Sequence, residues 1–224
     1  MEIIKTLFNR YKHFSIQLIY IPLLLWFSYI ERTNIPKYVM HCSLDDKIPF
    51  IKEFIVAYYF WFAFMAFTFI YLGTVSKKDY YKFVILIALN LIISNIIYVA
   101  FPNVQHMRPH ITSNDPFSFV IKYIYSTDTP TDVFPSIHVA HSVGAYLALV
   151  SCDNFKDKQL YKLLAFISMI LISISTVFIK QHSVIDMIGG FAMVSAIYLC
   201  VYKLPKLFES TASSYEVKEE HASM

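Results

Sequence analysis

The feature that most constrains this 224-residue chain is a series of long apolar segments separated by polar ones. Most of them reach the ~17–25 residues that a helix needs to cross about 30 Å of hydrocarbon. They do not alternate in polarity as membrane barrel strands do. The sequence therefore predicts an all-α integral membrane bundle of about six transmembrane helices, at approximately 14–30, 54–73, 83–101, 138–152, 161–179 and 183–202.

Composition agrees with this interpretation. Hydrophobic residues make up 57% of the chain and charged residues 16%, against about 45–50% and about 25% in soluble domains. A soluble domain of this length cannot bury so much apolar surface. A cytosolic globular enzyme, a disordered protein and a disulfide scaffold are excluded. We expect a membrane domain over 1–208 and a polar, flexible C-terminal tail over 209–224.

The distribution of Lys and Arg predicts the orientation. The N-terminus, the second and fourth loops and the C-terminal tail carry 12 of the 19 basic residues. Basic residues are enriched on the cytoplasmic side of a membrane. We therefore expect both termini in the cytoplasm, loops one, three and five outside, and location in the cell (inner) membrane. The net charge of +3 then gives no reason to expect nucleic acid as a partner.

Polar residues gather at the predicted outer ends of the spans. The third loop, 102–137, is long and polar, and loops of such length are usually functional or disordered. Ionisable residues at membrane depth are costly, so each of them indicates a functional site. The sequence predicts one site formed by the loops 102–137 and 180–186.

Each candidate residue has a specific chemical use. Asp186 lies four residues after His182, so both share one helix face and the carboxylate can orient the imidazole as a nucleophile. Ser136 reads as a helix N-cap, and the free N–H groups at a helix start favour an anion such as phosphate. His138 can protonate a leaving oxygen, and the Arg108 guanidinium matches phosphate oxygens. Together they fit phosphoryl transfer through a phosphohistidine.

Each candidate also has a structural alternative. His182 and Asp186 can form a self-satisfied buried pair, Ser136 and His138 an ordinary capped helix, and Arg108 an interfacial anchor. We expect no cofactor and no metal, because Asp115, Asp128 and Asp132 are dispersed along one loop rather than clustered.

The residues resemble the type 2 phosphatidic acid phosphatase superfamily over about 80–200. Its pattern is Lys-x6-Arg-Pro, then Pro-Ser-Gly-His, then Ser-Arg-x5-His-x3-Asp. The matching residues of this chain are Arg108-Pro109, Pro135-Ser136-Ile137-His138 and Ser175-Thr176 followed by His182 and Asp186.

The resemblance implies a role for each catalytic position. His182 would attack phosphorus, Asp186 would orient it and His138 would protonate the leaving alkoxide. Arg108 and Ser136 would hold the phosphoryl oxygens. The implied substrate is a membrane lipid phosphoester.

Three departures from the pattern affect the expected activity. Phe101 stands where the family has Lys, Ile137 where it has Gly and Thr176 where it has Arg. With these departures the chain looks more like the branch of inositol phosphorylceramide and sphingomyelin synthases. The diester substrates of that branch carry less negative charge than a phosphate monoester. We expect a metal-independent lipid phosphoesterase, a hydrolase, acting at the extracytoplasmic face. A lipid headgroup phosphotransferase is the alternative, and a non-catalytic transporter or flippase is the alternative of another class.

Overall fold

The structure is a computed structural model that describes residues 9–204. The predicted tail 209–224 lies outside the described residues. A two-stranded parallel sheet pairs β1 (Tyr38–Val39) with β2 (Asn103–Val104). The α-helices are, in chain order, α1 (Tyr20–Thr33), α2 (Ile55–Val75), α3 (Lys77–Ala100), α4 (Pro116–Thr127), α5 (Ile137–Ser151), α6 (Gln159–Phe178) and α7 (Val184–Tyr198).

Short segments of other helical geometry extend these helices. A 3₁₀ segment, Lys12–Ile19, leads into α1, and a 3₁₀ turn, Lys52–Phe54, leads into α2. A third 3₁₀ turn, Asp153–Phe155, follows α5, and a π-helical turn, Leu199–Lys203, follows α7. The described chain is therefore mostly helical, and the predicted helical membrane class is confirmed.

Among the described residues, five helices are long and apolar enough to cross a membrane. They are Asn9–Thr33, Lys52–Val75, Lys77–Ala100, Gln159–Phe178 and Val184–Lys203. The fourth predicted segment forms α5, a shorter apolar helix of 15 residues, or about 22 Å at 1.5 Å per residue. The count of six spans and the cytoplasmic termini stay predictions.

Helix α5 lies at the centre of the bundle, packed against α3, α6 and α7. Two glycines permit this close packing. A Cβ at Gly144 would lie 2.6 Å from Leu86 Cδ2 of α3, and one at Gly190 of α7 would lie 2.5 Å from the Ser136 carbonyl oxygen. Helix α1, in contrast, packs on α3 and leaves most of its apolar side chains exposed, as expected for contact with lipid.

The third loop contains an unpredicted helix. Within 102–137, α4 begins after Asp115, whose Oδ1 accepts a hydrogen bond from the Ser118 amide at 3.1 Å, and Pro116 occupies its first turn. A side chain of this kind followed by Pro is a helix-start signal. Lys52 pairs with Asp115 and fixes α4 near the start of α2. The long third loop therefore contains a helix that the sequence analysis did not predict.

Candidate active site

The start of α7 holds the His–Asp pair. Asp186 is fully buried, and its Oδ2 accepts a hydrogen bond from the Ser183 amide at 2.8 Å. The same oxygen lies 3.5 Å from Nδ1 of His182. Among residues 9–204, neither His182 Nδ1 nor Asp186 Oδ1 has a hydrogen-bond partner. The carboxylate therefore lies on the Nδ1 side of the imidazole. The prediction that both residues share one helix face is wrong, because His182 precedes Ser183, the N-cap of α7.

The start of α5 lies against the start of α7. The Ser136 amide donates a hydrogen bond to the Asp186 carbonyl oxygen at 3.0 Å. Gly190 makes this possible, because a side chain there would meet the Ser136 backbone. The end of the bundle where α5 and α7 begin, which we call the site end, thus carries both helix starts in direct contact.

His138 lies among aromatic rings. Its ring centroid is 4.4 Å from that of Tyr58, 4.9 Å from that of Trp61 and 6.1 Å from that of His182. His141, one turn further along α5, stacks on Trp61 at 5.9 Å. The two predicted catalytic imidazoles therefore face each other at the site end.

Both imidazoles line a cavity of about 260 Å³. Its apolar wall includes Leu24 and Phe27 of α1, Phe62 of α2 and Leu91 of α3. Leu24 is 52% exposed and Phe62 is 56% exposed, so this wall is open to the surroundings of the helices. Its polar wall is formed by Asp128, Thr129, Thr131, Asp132 and Gln181.

Arg108 lies beside this cavity but is not among the residues that line it. Its guanidinium donates to the carbonyl oxygens of Tyr125, Asp128 and Thr129 and to the Gln181 side chain. It also sits over the Tyr125 ring, 4.6 Å from the centroid. Burial lowers the pKa of Arg108, an effect that Asp128 opposes. The predicted anion clamp is thus occupied by protein oxygens.

Ser136 is fully buried and acts as a helix cap. Its Oγ accepts from the Val139 amide at 3.5 Å, a long contact, and Ser136 does not line the cavity. Ile137, the next residue, does line it. Any contribution of Ser136 to substrate binding would therefore come through the helix start that it caps.

The positions where the resemblance expects basic residues lack charge in this chain. Phe101 stacks on Tyr38 with ring centroids 4.1 Å apart. Thr176 is buried, and its hydroxyl donates to the Ser173 carbonyl at 2.7 Å within α6. Neither residue lines the cavity.

Asp45 is a site-end residue that the sequence analysis missed. Its carboxylate accepts from the Ser183 hydroxyl at 2.6 Å, the Val184 amide at 2.9 Å and the Cys42 amide at 2.8 Å. Burial alone would raise the pKa of Asp45, but these hydrogen bonds outweigh burial and lower it. No local pattern could reveal this contact, because 138 residues separate Asp45 from Ser183.

Asn103 is a second missed residue, and it shapes the approach to α5. Its Oδ1 accepts from the amides of Val133 and Phe134 at 2.8 and 2.9 Å, and its amide group donates to the Phe134 carbonyl. The Tyr98 hydroxyl adds a hydrogen bond of 2.8 Å to the Pro135 carbonyl. These contacts fix the segment that delivers His138 to the cavity.

The three carboxylates that are dispersed along the third loop have different surroundings in the structure. Asp128 and Asp132 line the same cavity, whereas Asp115 pairs with Lys52 elsewhere. Burial raises the pKa of Asp128, and Arg108 opposes this. Burial also raises the pKa of Asp132.

Among residues 9–204, no group of three His, Cys, Asp or Glu side chains is arranged to hold a metal ion.

The fold and the site together define a class of protein. It is a helical membrane protein in which a His–Asp pair faces a second histidine at one end of the bundle. Residues 79–209, more than half of the chain, match the PAP2 superfamily, and the chain belongs to it. No curated protein and no solved structure matches the chain. Membership supports a lipid phosphoesterase of the phosphatase or phosphotransferase type that acts at a bilayer. The resemblance to the ceramide and sphingomyelin synthase branch stays a prediction.

Proposed function

We propose that this protein cleaves membrane lipid phosphoesters through a phosphohistidine formed on His182. The observation that carries the proposal is the facing pair of imidazoles, with His138 6.1 Å from His182 and Asp186 behind His182. A nucleophile, an orienting group and a proton donor in one cavity are the parts that such a reaction requires.

The first step transfers the phosphoryl group to the enzyme. Asp186 takes the Nδ1 side of His182, so Nε2 is the nitrogen that attacks phosphorus. The P–N bond forms as the bond from phosphorus to the leaving oxygen breaks, and His138 gives that oxygen its proton. The 3.5 Å separation of Nδ1 and Asp186 Oδ2 shortens as the ring gains positive charge, since catalytic hydrogen bonds often tighten only in the reacting complex.

The second step returns the enzyme to its starting state. His138, now neutral, takes a proton from water, and the resulting oxygen attacks phosphorus. A P–O bond forms and the P–N bond breaks, which releases the phosphate product and free His182. The two steps together require only groups of the protein, the lipid and water.

The start of α5 supplies the contacts to the phosphoryl oxygens. Among the described residues, the amides of Ile137 and His138 donate to no acceptor, and both residues line the cavity. Two free N–H groups at the positive end of a helix bind anions readily. Ser136 acts by capping this helix start, and Arg108 contributes its charge from beside the cavity.

We place the site at the extracytoplasmic face of the cell membrane. The Lys and Arg count supports this side, because the loops of the site end belong to the set with fewer basic residues. The open apolar wall near Leu24 and Phe62 would let a lipid enter from the bilayer while its phosphate reaches the histidines.

Replacement of His182 tests the proposal. We expect His182→Ala to lower diacylglycerol release from phospholipid in detergent by more than about 10³-fold, with chelator present throughout. His110→Ala, which changes an exposed histidine of the third loop, is the matched control and should keep full activity. Thermal unfolding of both variants checks that they fold. Full activity of His182→Ala would contradict the proposal.

Transfer to a lipid alcohol is the second candidate. The open apolar wall of the cavity favours it, because an apolar acceptor can approach from the bilayer as easily as the substrate. A labelled phospholipid supplied with and without a lipid alcohol separates the two. Product that forms only with the alcohol indicates a phosphotransferase, and product that forms without it indicates a hydrolase.

A further inference from the structure

A second apolar cavity, which we call the far groove, lies between α2 and α6 and has a volume of about 350 Å³. Among the described residues, it shares no lining residue with the cavity of the active site. Its lining residues on α2 are Phe60, Ala63, Phe64 and Phe67, those on α6 are Tyr161, Leu164, Ala165 and Ser168, and Phe155 belongs to the turn before α6.

Each of the two helices contributes one face to the far groove. The lining positions of both follow the spacing i, i+3, i+4 and i+7, which places them in one stripe along a helix. Phe64 and Ala165 are buried at the floor of the groove, whereas Phe67 and Tyr161 are exposed at its rim. Ala63, between the floor and the rim of α2, is too small to fill the space. The far groove is therefore open along its length to the surroundings of the helices.

The far groove runs towards the end of the bundle that is opposite the site end. Helix α2 begins at the site end, where Tyr58 lies beside His138, and α6 ends there, shortly before His182. From Phe60 to Phe67, α2 rises about 10 Å at 1.5 Å per residue. This length fits within one leaflet, which is half of the ~30 Å of hydrocarbon. An acyl chain of the leaflet at this end can therefore lie along the groove.

Lys158 lies at the end of the far groove. Its Nζ donates to the Tyr71 hydroxyl at 3.0 Å and is 5.1 Å from the centroid of that ring. The Tyr71 ring in turn packs on Phe67 and Phe155, with centroids 5.7 and 5.4 Å away. Both phenylalanines line the groove. A single aromatic ring thus separates an ammonium group from the apolar groove.

Two further lysines lie close to Lys158 in the sequence. Lys162 Nζ donates to the carbonyl oxygen of Lys156, so their side chains and backbone meet at the start of α6. Within the described part of the chain, none of the three lysines forms an ion pair, although Asp153 and Asp157 belong to the same segment. Their positive charge is therefore available to an anionic group.

A groove of about 390 Å³, which we call the near groove, continues the same helix faces towards the site end. It shares Phe60 with the far groove and is also lined by Ala57, but Glu53 lies on it. Lys52, the neighbouring cation, is already paired with Asp115. The near groove would therefore repel an anionic group at its end. The two grooves are alike in their apolar lining and opposite in the charge beside it.

We propose that the far groove binds one acyl chain of an anionic phospholipid, whose phosphate lies at Lys158. The lysine count predicts that this end of the bundle faces the cytoplasm. The cytoplasmic leaflet carries the anionic lipids, and one lysine near its surface gives roughly a fivefold gain in affinity. The lipid is bound at a site separate from the active site, and its binding does not depend on the chemistry of His182.

The first test measures lipid binding in the His182→Ala variant, which cannot consume a lipid by the proposed reaction. Native mass spectrometry in a neutral detergent compares phosphatidylglycerol with phosphatidylcholine of identical acyl chains. We expect phosphatidylglycerol to bind at least about fivefold more tightly. Equal binding of the two would overturn the proposal, because it would show that the acyl chain alone is recognised.

The second test removes the charge at the groove. In the same background, Lys158→Gln should lower the affinity for phosphatidylglycerol about fivefold and leave that for phosphatidylcholine unchanged. Lys82→Gln is the matched control, because Lys82 also lies over a tyrosine ring, 5.4 Å from the centroid of Tyr202, but belongs to α3. It should keep the affinity. Equal losses in both variants would show a general attraction of charge and contradict a site at Lys158.

The third test fills each groove in turn. Ala63 is exposed and Ala57 is half-buried, so a larger side chain at either position should leave the fold intact, which thermal unfolding checks. Ala63→Phe should weaken phosphatidylglycerol binding at least about tenfold, because the ring takes the place of the acyl chain. Ala57→Phe fills the near groove and should change it little. A lipid in the active-site cavity is common to both variants and cancels in this comparison.

The same spectra report the oligomeric state and so identify another occupant of the far groove. Unchanged phosphatidylglycerol binding in Ala63→Phe overturns the proposal. A dimer that carries no bound lipid and that Ala63→Phe dissociates also overturns it, because a second copy of the chain would then cover the groove.

Discussion

The starts of α5 and α7 lie side by side, but they differ in how the free N–H groups of their first turns are hydrogen-bonded. At α7, Asp45 accepts from the Val184 amide and the Ser183 hydroxyl, and Ser183 and Asp186 form a reciprocal capping box. At α5, the single cap contact is the 3.5 Å hydrogen bond from the Val139 amide to the Ser136 hydroxyl. The start of α7 is therefore already bound by a carboxylate of the protein, that of Asp45, whereas the start of α5 leaves two amides free.

This difference assigns different tasks to the two helices. A helix start whose donors are already satisfied cannot bind a further anion, but it holds its side chains rigidly. That suits His182 and Asp186, which must keep their mutual orientation. A helix start with free donors suits a ligand anion, and it belongs to the helix that carries His138. Contact between the two starts then fixes the ligand position against the nucleophile.

Among substitutions outside the reacting residues, the largest expected effect comes from forcing the two helix starts apart. In Gly190→Ala, the new Cβ would lie 2.5 Å from the Ser136 carbonyl oxygen, a backbone atom that cannot turn aside. Overpacking of this kind costs about 1–3 kcal/mol, and a 1 Å displacement of reacting groups can cost about 10²-fold in rate. We expect activity to fall about 10²-fold, measured as diacylglycerol release.

Gly189→Ala is the matched control. It brings the same gain in helix propensity of about 1 kcal/mol, but its Cβ would meet the Phe134 ring, a side chain that can rotate. We expect activity to fall less than about fivefold, because a rotating ring leaves the backbone in place. Equal losses in the two variants would show that contact between the helix starts is not what positions the histidines.

Local and long-range parts of this site differ in how far the sequence could predict them. His182 and Asp186 could be predicted as a pair because only four positions separate them in the sequence, although His182 precedes α7. Ser136 could be predicted because caps are local. Asp45 and Asn103 were not, because each bonds to residues distant in sequence. Helix α4 has a local start signal in Asp115 followed by Pro116, so it could have been predicted from the sequence. The shared wall of Asp128 and Asp132 required the folded loop.

We expect a moderate loss of stability when the carboxylate of Asp45 is removed from the start of α7. In Asp45→Asn, one oxygen can still accept from Val184, but the new amide group faces the Ser183 hydroxyl and the Cys42 amide, which are both donors. Unsatisfied donors of this kind cost about 1–3 kcal/mol. We expect the free energy of unfolding in detergent to fall by about that amount.

The pH dependence of the same variant gives an independent check. The pKa of Asp45 is lowered in the folded protein from its ordinary value of 3.8. Its stabilising effect is therefore present above about pH 3.8 and is lost as the pH falls through the lower, folded pKa. Between pH 6 and pH 3, the Tm of the wild type should fall more than that of Asp45→Asn. Asp46→Asn, at an exposed neighbouring carboxylate, should follow the wild type; identical slopes for all three proteins would contradict this role of Asp45.

The smallest expected effect on stability is that of the cap of α5. Loss of an N-cap hydroxyl typically costs about 0.5–2 kcal/mol, but the 3.5 Å contact of Ser136 is longer than a well-formed hydrogen bond. We expect Ser136→Ala to cost about 0.5 kcal/mol or less, measured by thermal unfolding in detergent. Ser183→Ala removes contacts to Asp45 and to the Ile185 amide, so it should cost about 1–2 kcal/mol. The reverse order would show that the α5 start is the better satisfied one and would remove the reason to place the substrate phosphate there.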